Sequence, residues 1–387
     1  MPRRAETPHR IWVAALCAFL FGWPLGADAA RLSRDRPSRA TDSPRRSIVE
    51  VASMRPLVER GLLEYRPYET AAPVRDDFTG ELAVGTRDGN LILFDVSGRE
   101  LWRAPLGAAP TGPAHFSDAA IFVGSADGLL FALDRFTGEV RWSQSLRAQV
   151  TMPMAEDVGV LFVGTDRDEV HALDAESGES LWVYRRSVGR DLTVRGGVGV
   201  AVEDGTLFAG FSDGSLVALD VDEGRILWEV ATAPGSARRF ADADATPVVR
   251  DGVVYCTVFN DGVYAFDARN GGLRWRHDAP GAHSLFLFED LLLVGGARQA
   301  LALTAENGAR VWTVPLGDGY VERPTVVRRV AFLPGPQGIR MVEARTGRPL
   351  GVFQPGSGFS APVAAGPEGV FALSNLGVLY ELRLVAP

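Results

Sequence analysis

Two short segments of the chain combine an arginine, two carboxylates and aliphatic side chains in a pattern suited to binding another protein. The first contains Leu192, Val194 and Arg195, and the second contains Asp242 and Asp244. A guanidinium that is oriented by carboxylates and edged by aliphatic side chains has the composition of an interface hot spot. The same residues can instead form an ion pair within the chain that braces two long loops. The sequence leaves both interpretations open.

No arrangement of residues in the sequence is typical of catalysis or of a metal site. The two cysteines, Cys17 and Cys256, are far apart, and the five histidines do not have the spacing of metal ligands. Nucleophile elbows, phosphate-binding loops and zinc-protease motifs are absent from the sequence. Asp242 and Asp244 lack the further ligands of a calcium loop. We therefore predict no catalytic residue, no metal and no cofactor.

The two segments interrupt a repeat of about 40 residues that runs through most of the chain. Strand-type alternation at this period predicts the blades of an all-β propeller. The Asp and Gly are expected to form a tight connection, and the Trp is expected to pack between blades. The recurring residues are Asp134, Gly138 and Trp142; Asp174, Gly178 and Trp182; Asp220, Gly224 and Trp228; Asp267, Gly271 and Trp275; and Trp312, which follows Thr304 and Gly308.

The repeat is longer than usual at two places. The step from Asp134 to Asp174 is 40 residues, but the steps from Asp174 to Asp220 and from Asp220 to Asp267 are 46 and 47 residues. Both insertions border the fourth blade. Features that break a regular repeat are candidates for function, because loops on one face of a repeat protein commonly form its binding surface.

The number of blades follows from the strand count. The inner hairpin occurs eight times, whereas an outer Trp-type strand follows only seven of the hairpins. The segment from Leu62 to Tyr65 resembles the outer strand around Trp228. We therefore predict eight blades over residues 57–387, closed by an N-terminal outer strand with Tyr65 in the Trp position. Such closure leaves no open end to the ring.

The first 29 residues are predicted to be a secretory signal peptide. They contain a basic start, an apolar run and an A-x-A cleavage pattern that ends at Ala29. Leu16 precedes Cys17, where a lipid-attachment motif requires a small residue, so a lipid anchor is not expected. Cys256 then remains as the single cysteine of the processed chain, and we interpret it as a small buried apolar residue.

Residues 30–56 are predicted to be a disordered basic tether, because they are polar and rich in Arg, Ser and Pro. The segment from Ile48 to about Leu63 leaves room for a short helix that is broken near Pro56. The whole chain carries a formal net charge of −8. A basic surface of the kind that binds nucleic acid is therefore not indicated.

The repeat together with the two insertions resembles the BamB family, the propeller subunits of the bacterial outer-membrane β-barrel assembly machinery. The resemblance covers roughly residues 60–387. In that family the fourth blade is entered through L-x-L-R-G and the fifth through R-x-x-D-x-D-x-T-P. The corresponding residues of this sequence are Leu192, Val194, Arg195 and Gly196, and Arg239, Asp242, Asp244, Thr246 and Pro247.

The resemblance implies a monomeric, non-catalytic periplasmic scaffold that binds the POTRA domains of the barrel insertase BamA. It implies that Leu192, Val194 and Arg195 contact the partner and that Asp242 and Asp244 orient the arginine. Members of the family are usually lipoproteins. Because this sequence lacks that signal, we expect it to reach the inner face of the outer membrane through its partner.

Two other functions remain open at this point. The first is a propeller of the same fold that binds a different envelope protein or a glycan. The second is an enzyme similar to the dehydrogenases that hold pyrroloquinoline quinone (PQQ) on the axis of such a ring. Those enzymes use a pair of adjacent cysteines and a bound calcium ion, and this sequence has no adjacent cysteines.

Overall fold

The computed structural model describes residues 48–59, 68–186, 197–232, 245–317 and 319–385. Their regular elements are 32 β-strands, which pair into eight four-stranded antiparallel sheets. The predicted all-β propeller with eight blades is therefore confirmed. In this part of the chain, no helix is long and apolar enough to cross a membrane.

Seven of the blades consist of four consecutive strands, and the eighth combines both ends of the described chain. Blades 1 to 4 are β2 (Val74–Arg75), β3 (Leu82–Thr86), β4 (Asn90–Phe94) and β5 (Glu100–Pro105); β6 (His115–Phe116), β7 (Ala120–Gly124), β8 (Leu129–Asp134) and β9 (Val140–Ser145); β10 (Ala155–Asp157), β11 (Val160–Gly164), β12 (Glu169–Asp174) and β13 (Ser180–Arg185); and β14 (Gly199–Glu203), β15 (Thr206–Gly210), β16 (Ser215–Asp220) and β17 (Ile226–Ala231). Blades 5 to 8 are β18 (Val248–Arg250), β19 (Val253–Val258), β20 (Gly262–Asp267) and β21 (Leu273–Asp278); β22 (Ala282–Phe288), β23 (Leu291–Gly296), β24 (Gln299–Thr304) and β25 (Arg310–Pro315); β26 (Thr325–Val327), β27 (Val330–Gly335), β28 (Gly338–Glu343) and β29 (Pro349–Phe353); and β30 (Ala364–Ala365), β31 (Gly369–Leu373), β32 (Val378–Leu384) and β1 (Val49–Pro56).

The first strands of neighbouring blades contact one another and surround the axis of the ring. Strand β14 contacts both β10 and β18, and the contact between β2 and β30 joins the first blade to the last. Because neighbouring strands of a blade are antiparallel, the turns after the first and third strands lie at one end of the blade, here called the turn face. The turns after the second strands and the connections between blades lie at the other end, here called the loop face.

The ring is closed by an N-terminal outer strand, but its position differs from the prediction. Strand β1 pairs with β32 from Val49 opposite Leu384 to Pro56 opposite Val378. Leu62 to Tyr65, which were predicted to form this strand, lie outside the described residues. Residues 49–56 form this strand and not the short helix for which the sequence left room. The predicted boundary between a tether over residues 30–56 and a propeller from residue 57 is therefore wrong, because the last blade already includes Val49–Pro56. A register shift between Val51 and Ser53 breaks the alternation of side chains, which explains why the sequence did not reveal the strand.

The core lies between the blades. The middle strands are buried on both faces, as in β3 and β7, because each blade packs face to face against its neighbours. One cluster, for example, joins Leu93 and Trp102 of blade 1 to Ile121 and Leu133 of blade 2. The outer strands cover one face only, and their side chains alternate in exposure, as in β5.

Each recurring Trp fixes its blade to the following one. The indole Nε1–H donates to the main-chain carbonyl that comes directly after the recurring Asp, or after its replacement, in the next blade. The N–O distances are 2.8 Å from Trp102 to Arg135, 3.2 Å from Trp142 to Ala175, 2.9 Å from Trp182 to Val221, 2.9 Å from Trp228 to Ala268, 2.9 Å from Trp275 to Ala305 and 2.8 Å from Trp312 to Ala344. The Trp side chain thus fills the apolar space between two blades, and its one polar group is satisfied by a hydrogen bond.

The recurring Gly lies against the Trp of the preceding blade. At Gly178 the backbone has φ of 75°, and a Cβ would come within 2.6 Å of the Trp142 indole. Only glycine meets both conditions. The same approach recurs in five other blades, with Cβ-to-indole distances of 2.7 Å at Gly138, 2.6 Å at Gly224, 2.8 Å at Gly271, 2.5 Å at Gly308 and 2.7 Å at Gly347.

The recurring Asp shapes the turn that presents this glycine. The Asp134 carboxylate accepts the N–H groups of Phe136 and Thr137, each at 3.0 Å. A hydrogen bond from Arg141, assisted by the Thr137 N–H, lowers the pKa of Asp134 to about 2. In blade 6 the neutral Thr304 takes this place and accepts the N–H of Ala309 at 3.1 Å. The same turn can therefore be stabilised either by a carboxylate or by a neutral hydroxyl group.

We expect Gly178→Ala to lower the free energy of unfolding by about 3 kcal/mol, because it combines a left-handed backbone with a clash against Trp142. Gly159→Ala is the matched control, since Gly159 has φ of 78° and no atom within 4 Å of an added Cβ. The control should cost about 1 kcal/mol. Urea unfolding of both variants measures the difference. Equal losses would show that the contact with the indole contributes nothing.

We expect the protein to lose stability as the pH falls from about 4 to about 2. The pKa of Asp134 is lowered to about 2 from 3.8, so the carboxylate stabilises the fold above 3.8 and loses this effect as the pH falls through 2. Asp134→Asn keeps an acceptor for the turn and should reduce the acid sensitivity. Urea midpoints at several pH values test this, and an unchanged pH dependence in the variant would contradict it.

Candidate functional site

The five predicted binding residues, Leu192, Val194, Arg195, Asp242 and Asp244, lie outside the described part of the chain. The structure does describe where their two segments leave and rejoin the ring. One segment connects β13 to β14, and the other connects β17 to β18. Each therefore runs from the outer strand of one blade to the inner strand of the next. Both begin and end on the loop face, one on each side of blade 4.

The points at which the two segments rejoin the ring are in contact with each other. Gly199, at the start of β14, lies so close to the second segment that a Cβ there would be 2.4 Å from the Cα of Thr246. The N–H of Val198 donates to the Thr165 carbonyl of blade 3 at 3.1 Å. Both Val198 and Ala245 are buried. The sites of the two insertions are therefore adjacent in space.

A half-buried arginine anchors the departure point of the first segment. The Arg186 guanidinium donates to Asp213, to Glu229 at 2.7 Å and to the Ser215 hydroxyl at 2.9 Å, and it lies over the Phe211 ring. Burial lowers the pKa of Arg186, but the hydrogen bonds and charges of Glu229 and Asp213 outweigh it and raise that pKa above its ordinary value. The arginine thus ties the end of blade 3 to blade 4.

A second polar cluster anchors the departure point of the second segment. The Thr232 carbonyl lies 3.1 Å from the Tyr264 hydroxyl of blade 5. That hydroxyl also contacts the Asp261 carboxylate and accepts a hydrogen bond from Arg276 at 3.1 Å. Arg276 in turn pairs with Asp261 and, at 2.7 Å, with Asp278. Burial and the contact with Asp261 raise the pKa of Tyr264, so the hydroxyl stays protonated at neutral pH.

Arg186 and Thr232 occupy one position of the repeat, four residues after the Trp of their blades. In the other blades that carry a Trp, this position holds a buried apolar residue, at Leu106, Leu146, Ala279 and Leu316. Among these six blades, only the two that are followed by a long segment have a polar residue at this position. The sequence reasoning missed both residues, although this break in the repeat is visible in the sequence.

The described residues do not provide the ligand set of a quinone enzyme. Cys256, in β19, is packed between blades 4 and 5 against Phe208 and Ala218. Burial raises the pKa of its thiol to about 12, so it is protonated at neutral pH. Within the described ranges, no three His, Cys, Asp or Glu side chains are grouped so as to hold a metal ion. A PQQ site with its calcium ion does not fit this donor set.

Comparison with known proteins gives a consistent family assignment. Residues 87–313 and 260–357 match a family model described as outer membrane protein assembly factor BamB. The curated proteins of that name from Salmonella typhimurium and Escherichia coli are 36% identical over 84 residues and 31% identical over 87 residues. These alignments span 21% and 22% of this chain and 21% and 22% of the relatives' own length.

Solved structures resemble the ring over most of its length. BamB from Moraxella catarrhalis superimposes with a TM-score of 0.73 at 20% identity, covering 87% of this chain and 100% of that one. A quinohemoprotein alcohol dehydrogenase from Pseudomonas putida gives 0.69 at 15% identity, covering 88% of this chain and 77% of the enzyme. At these identities the resemblance establishes the propeller fold, which assembly factors and enzymes share.

We expect Arg186→Gln to lower the free energy of unfolding by about 2 kcal/mol, because it leaves two partly buried carboxylates without their cation. Arg185→Gln is the control on the neighbouring residue. The Arg185 side chain is 67% exposed and pairs with Glu169, so its loss should cost less than about 0.5 kcal/mol. Urea unfolding distinguishes the two. A loss at Arg186 no larger than at Arg185 would rule out the anchoring role.

Proposed function

Since the chain belongs to the family of the outer membrane protein assembly factor BamB, we propose that it is a non-catalytic scaffold for assembly of outer-membrane β-barrel proteins. In this role it binds the POTRA domains of a BamA-type insertase through the two long segments beside blade 4. The proposed contact residues are Leu192, Val194 and Arg195, with Asp242 and Asp244 orienting the arginine.

The observation that carries the proposal is the contact between the ends of the two segments. Gly199 and Thr246 touch, so both segments rejoin the ring at neighbouring points of the loop face. In the proposed arrangement, the arginine of one segment and the two carboxylates of the other act on the same partner surface. A guanidinium held by carboxylates presents its remaining N–H groups in a fixed direction, which favours a specific contact.

The anchoring clusters favour an interface role for Arg195 over a bracing role. Arg186 already ties the first departure point to blade 4, and Tyr264 already contacts the second through Thr232. The segments are therefore held at their departure points by other residues. An ion pair between Arg195 and the two aspartates is therefore not needed to attach the segments to the ring, which supports the proposed role of these residues in recognition of a partner.

We further propose that the protein acts as a monomer in the periplasm and reaches the inner face of the outer membrane through its partner. The predicted signal peptide over residues 1–29 and the acidic net charge of −8 support export and argue against nucleic-acid binding. The sequence has no adjacent cysteines of the kind that the quinone enzymes use, which supports a non-catalytic role. A propeller for another envelope protein or a glycan would use the same fold with a different partner.

The test is titration calorimetry of the purified protein with the POTRA region of the host's own insertase. We expect Arg195→Glu to weaken binding at least about 100-fold, because it replaces the central cation of the hot spot with an anion. Arg225→Glu is the matched control. It makes the same charge change on an exposed residue of blade 4, but at the turn face, and should leave the affinity unchanged.

Two results would contradict the proposal. The first is no binding by a wild-type protein whose cooperative unfolding shows that it is folded. The second is an equal loss of affinity in Arg225→Glu and Arg195→Glu, since this would reflect net charge and not a located site. Either result would leave the propeller fold intact and direct attention to other envelope components.

A further inference from the structure

A cleft of about 620 Å³ opens on the turn face, on the side of the ring opposite the two long segments. It lies where the turns of blades 1, 2 and 3 meet, and it combines residues of three successive blades. Its volume is in the range of sites that hold a small ligand or a few side chains of a peptide. Nothing in the proposed assembly role uses this part of the molecule.

A buried network of ion pairs and hydrogen bonds forms the floor of the cleft. Arg135 is buried there and pairs with Asp76 and, at 2.6 Å, with Glu81. Its guanidinium also donates to the Ser117 carbonyl at 3.0 Å and lies over the Phe116 ring. The arginine therefore links blades 1 and 2, and its charge is already matched by two carboxylates. The floor is formed before any ligand arrives.

The rim of the cleft is apolar and fully accessible. Phe78 of blade 1 is 99% exposed, Phe136 of blade 2 is 74% exposed and Val158 of blade 3 is 95% exposed. All three line the cleft. Large apolar side chains that surround one cavity in this way are typical of a binding surface, unlike single exposed apolar residues.

Val158 is also held in an unusual backbone conformation. Its φ is 45°, in the left-handed region that a β-branched residue rarely adopts. Four other blades have a residue with positive φ in the corresponding turn, and those residues are Asp204, Asp251, Glu289 and Arg328. Of these five turns, only that of blade 3, which lines the cleft, has an apolar residue at this position. Val158 therefore suits this turn less well than a polar residue would, but it adds apolar surface to the rim of the cleft.

The cleft is strongly acidic. Five carboxylates line it against the single Arg135. Glu156 is held by the Ser117 hydroxyl at 2.9 Å and by His115. Among the residues that the structure describes, Asp118 and Asp157 form no ion pair. Their carboxylates can therefore pair with a cation that arrives from outside. A basic segment therefore complements the charge of this surface.

We propose that the cleft binds an extended basic peptide segment of a partner protein. Arginine or lysine side chains of the segment pair with Asp118 and Asp157, and their neighbouring apolar side chains pack on Phe78, Phe136 and Val158. An aromatic rim also attracts the cations directly, through their interaction with the ring faces. Because this site is on the turn face, it can be occupied while the loop face holds a different partner.

The experiment is a fluorescence titration of the purified protein with an end-blocked peptide of about twelve residues that alternates arginine with leucine, phenylalanine and serine. Two reference peptides replace every arginine by glutamate or every apolar residue by serine. We expect micromolar binding of the first peptide and at least tenfold weaker binding of both references. The affinity should fall with added salt, because screening weakens the charge pairs.

Four variants locate the site. Phe78→Ser combined with Phe136→Ser should weaken binding at least tenfold. Asp118→Asn combined with Asp157→Asn should weaken it and flatten its salt dependence. Val158→Asn suits the left-handed turn, so it should leave the melting temperature unchanged or higher while reducing affinity several-fold. Val352→Ser is the control, since Val352 is 52% exposed on the outer strand of blade 7, outside the cleft.

The proposal fails if the first peptide does not bind at millimolar concentration. It also fails if the glutamate peptide binds as tightly, or if the cleft variants and Val352→Ser behave alike. Titration of the Phe78→Ser and Phe136→Ser double variant with the insertase fragment separates the two sites. An unchanged affinity for that fragment is expected, and a loss there would show that the cleft is not an independent site.

Discussion

The ring depends on one contact, the Trp indole of a blade against the Gly of the next. The indole N–H is satisfied by a carbonyl of the following blade, as between Trp142 and Ala175. Blade 7 has Gly351 where the Trp would lie, opposite Met341. There Phe353 packs edge-on against Tyr380, with ring centroids 5.2 Å apart. An aromatic contact thus takes the place of the Trp–Gly contact between blades 7 and 8, where the repeat is degenerate.

In this ring, the contacts that stabilise the fold are separate from the surfaces that are proposed to bind partners. The joints are buried between blades, so both faces remain free to vary without weakening the core. On the loop face, Arg186 and Thr232 replace buried apolar residues and anchor the two long segments. On the turn face, Val158 replaces the polar residue found in the corresponding turns. These three departures from the repeat therefore lie within or beside the two proposed binding surfaces.

The sequence was sufficient to predict the fold and the eight blades, because Asp, Gly and Trp recur at a period that only a propeller explains. It failed at β1, because a register shift hides the alternation of an exposed strand. It also missed Arg186 and the acidic cleft. Arg186 pairs with Asp213 and Glu229 across two blades, and such contacts between distant residues cannot be derived from periodicity. Residues 192–195 and 242–244 lie outside the described chain, so their role stays a prediction.

The proposed function requires that the two segments beside blade 4 form one partner-binding surface. Hydrogen–deuterium exchange of the protein, with and without the POTRA region of its insertase, tests this most directly because it follows every segment at once. We predict slower exchange in residues 187–196 and 233–244 together, with no change in the turns around Phe78 and Phe136. Protection of only one segment, or protection confined to the turn face, would contradict the proposed binding surface.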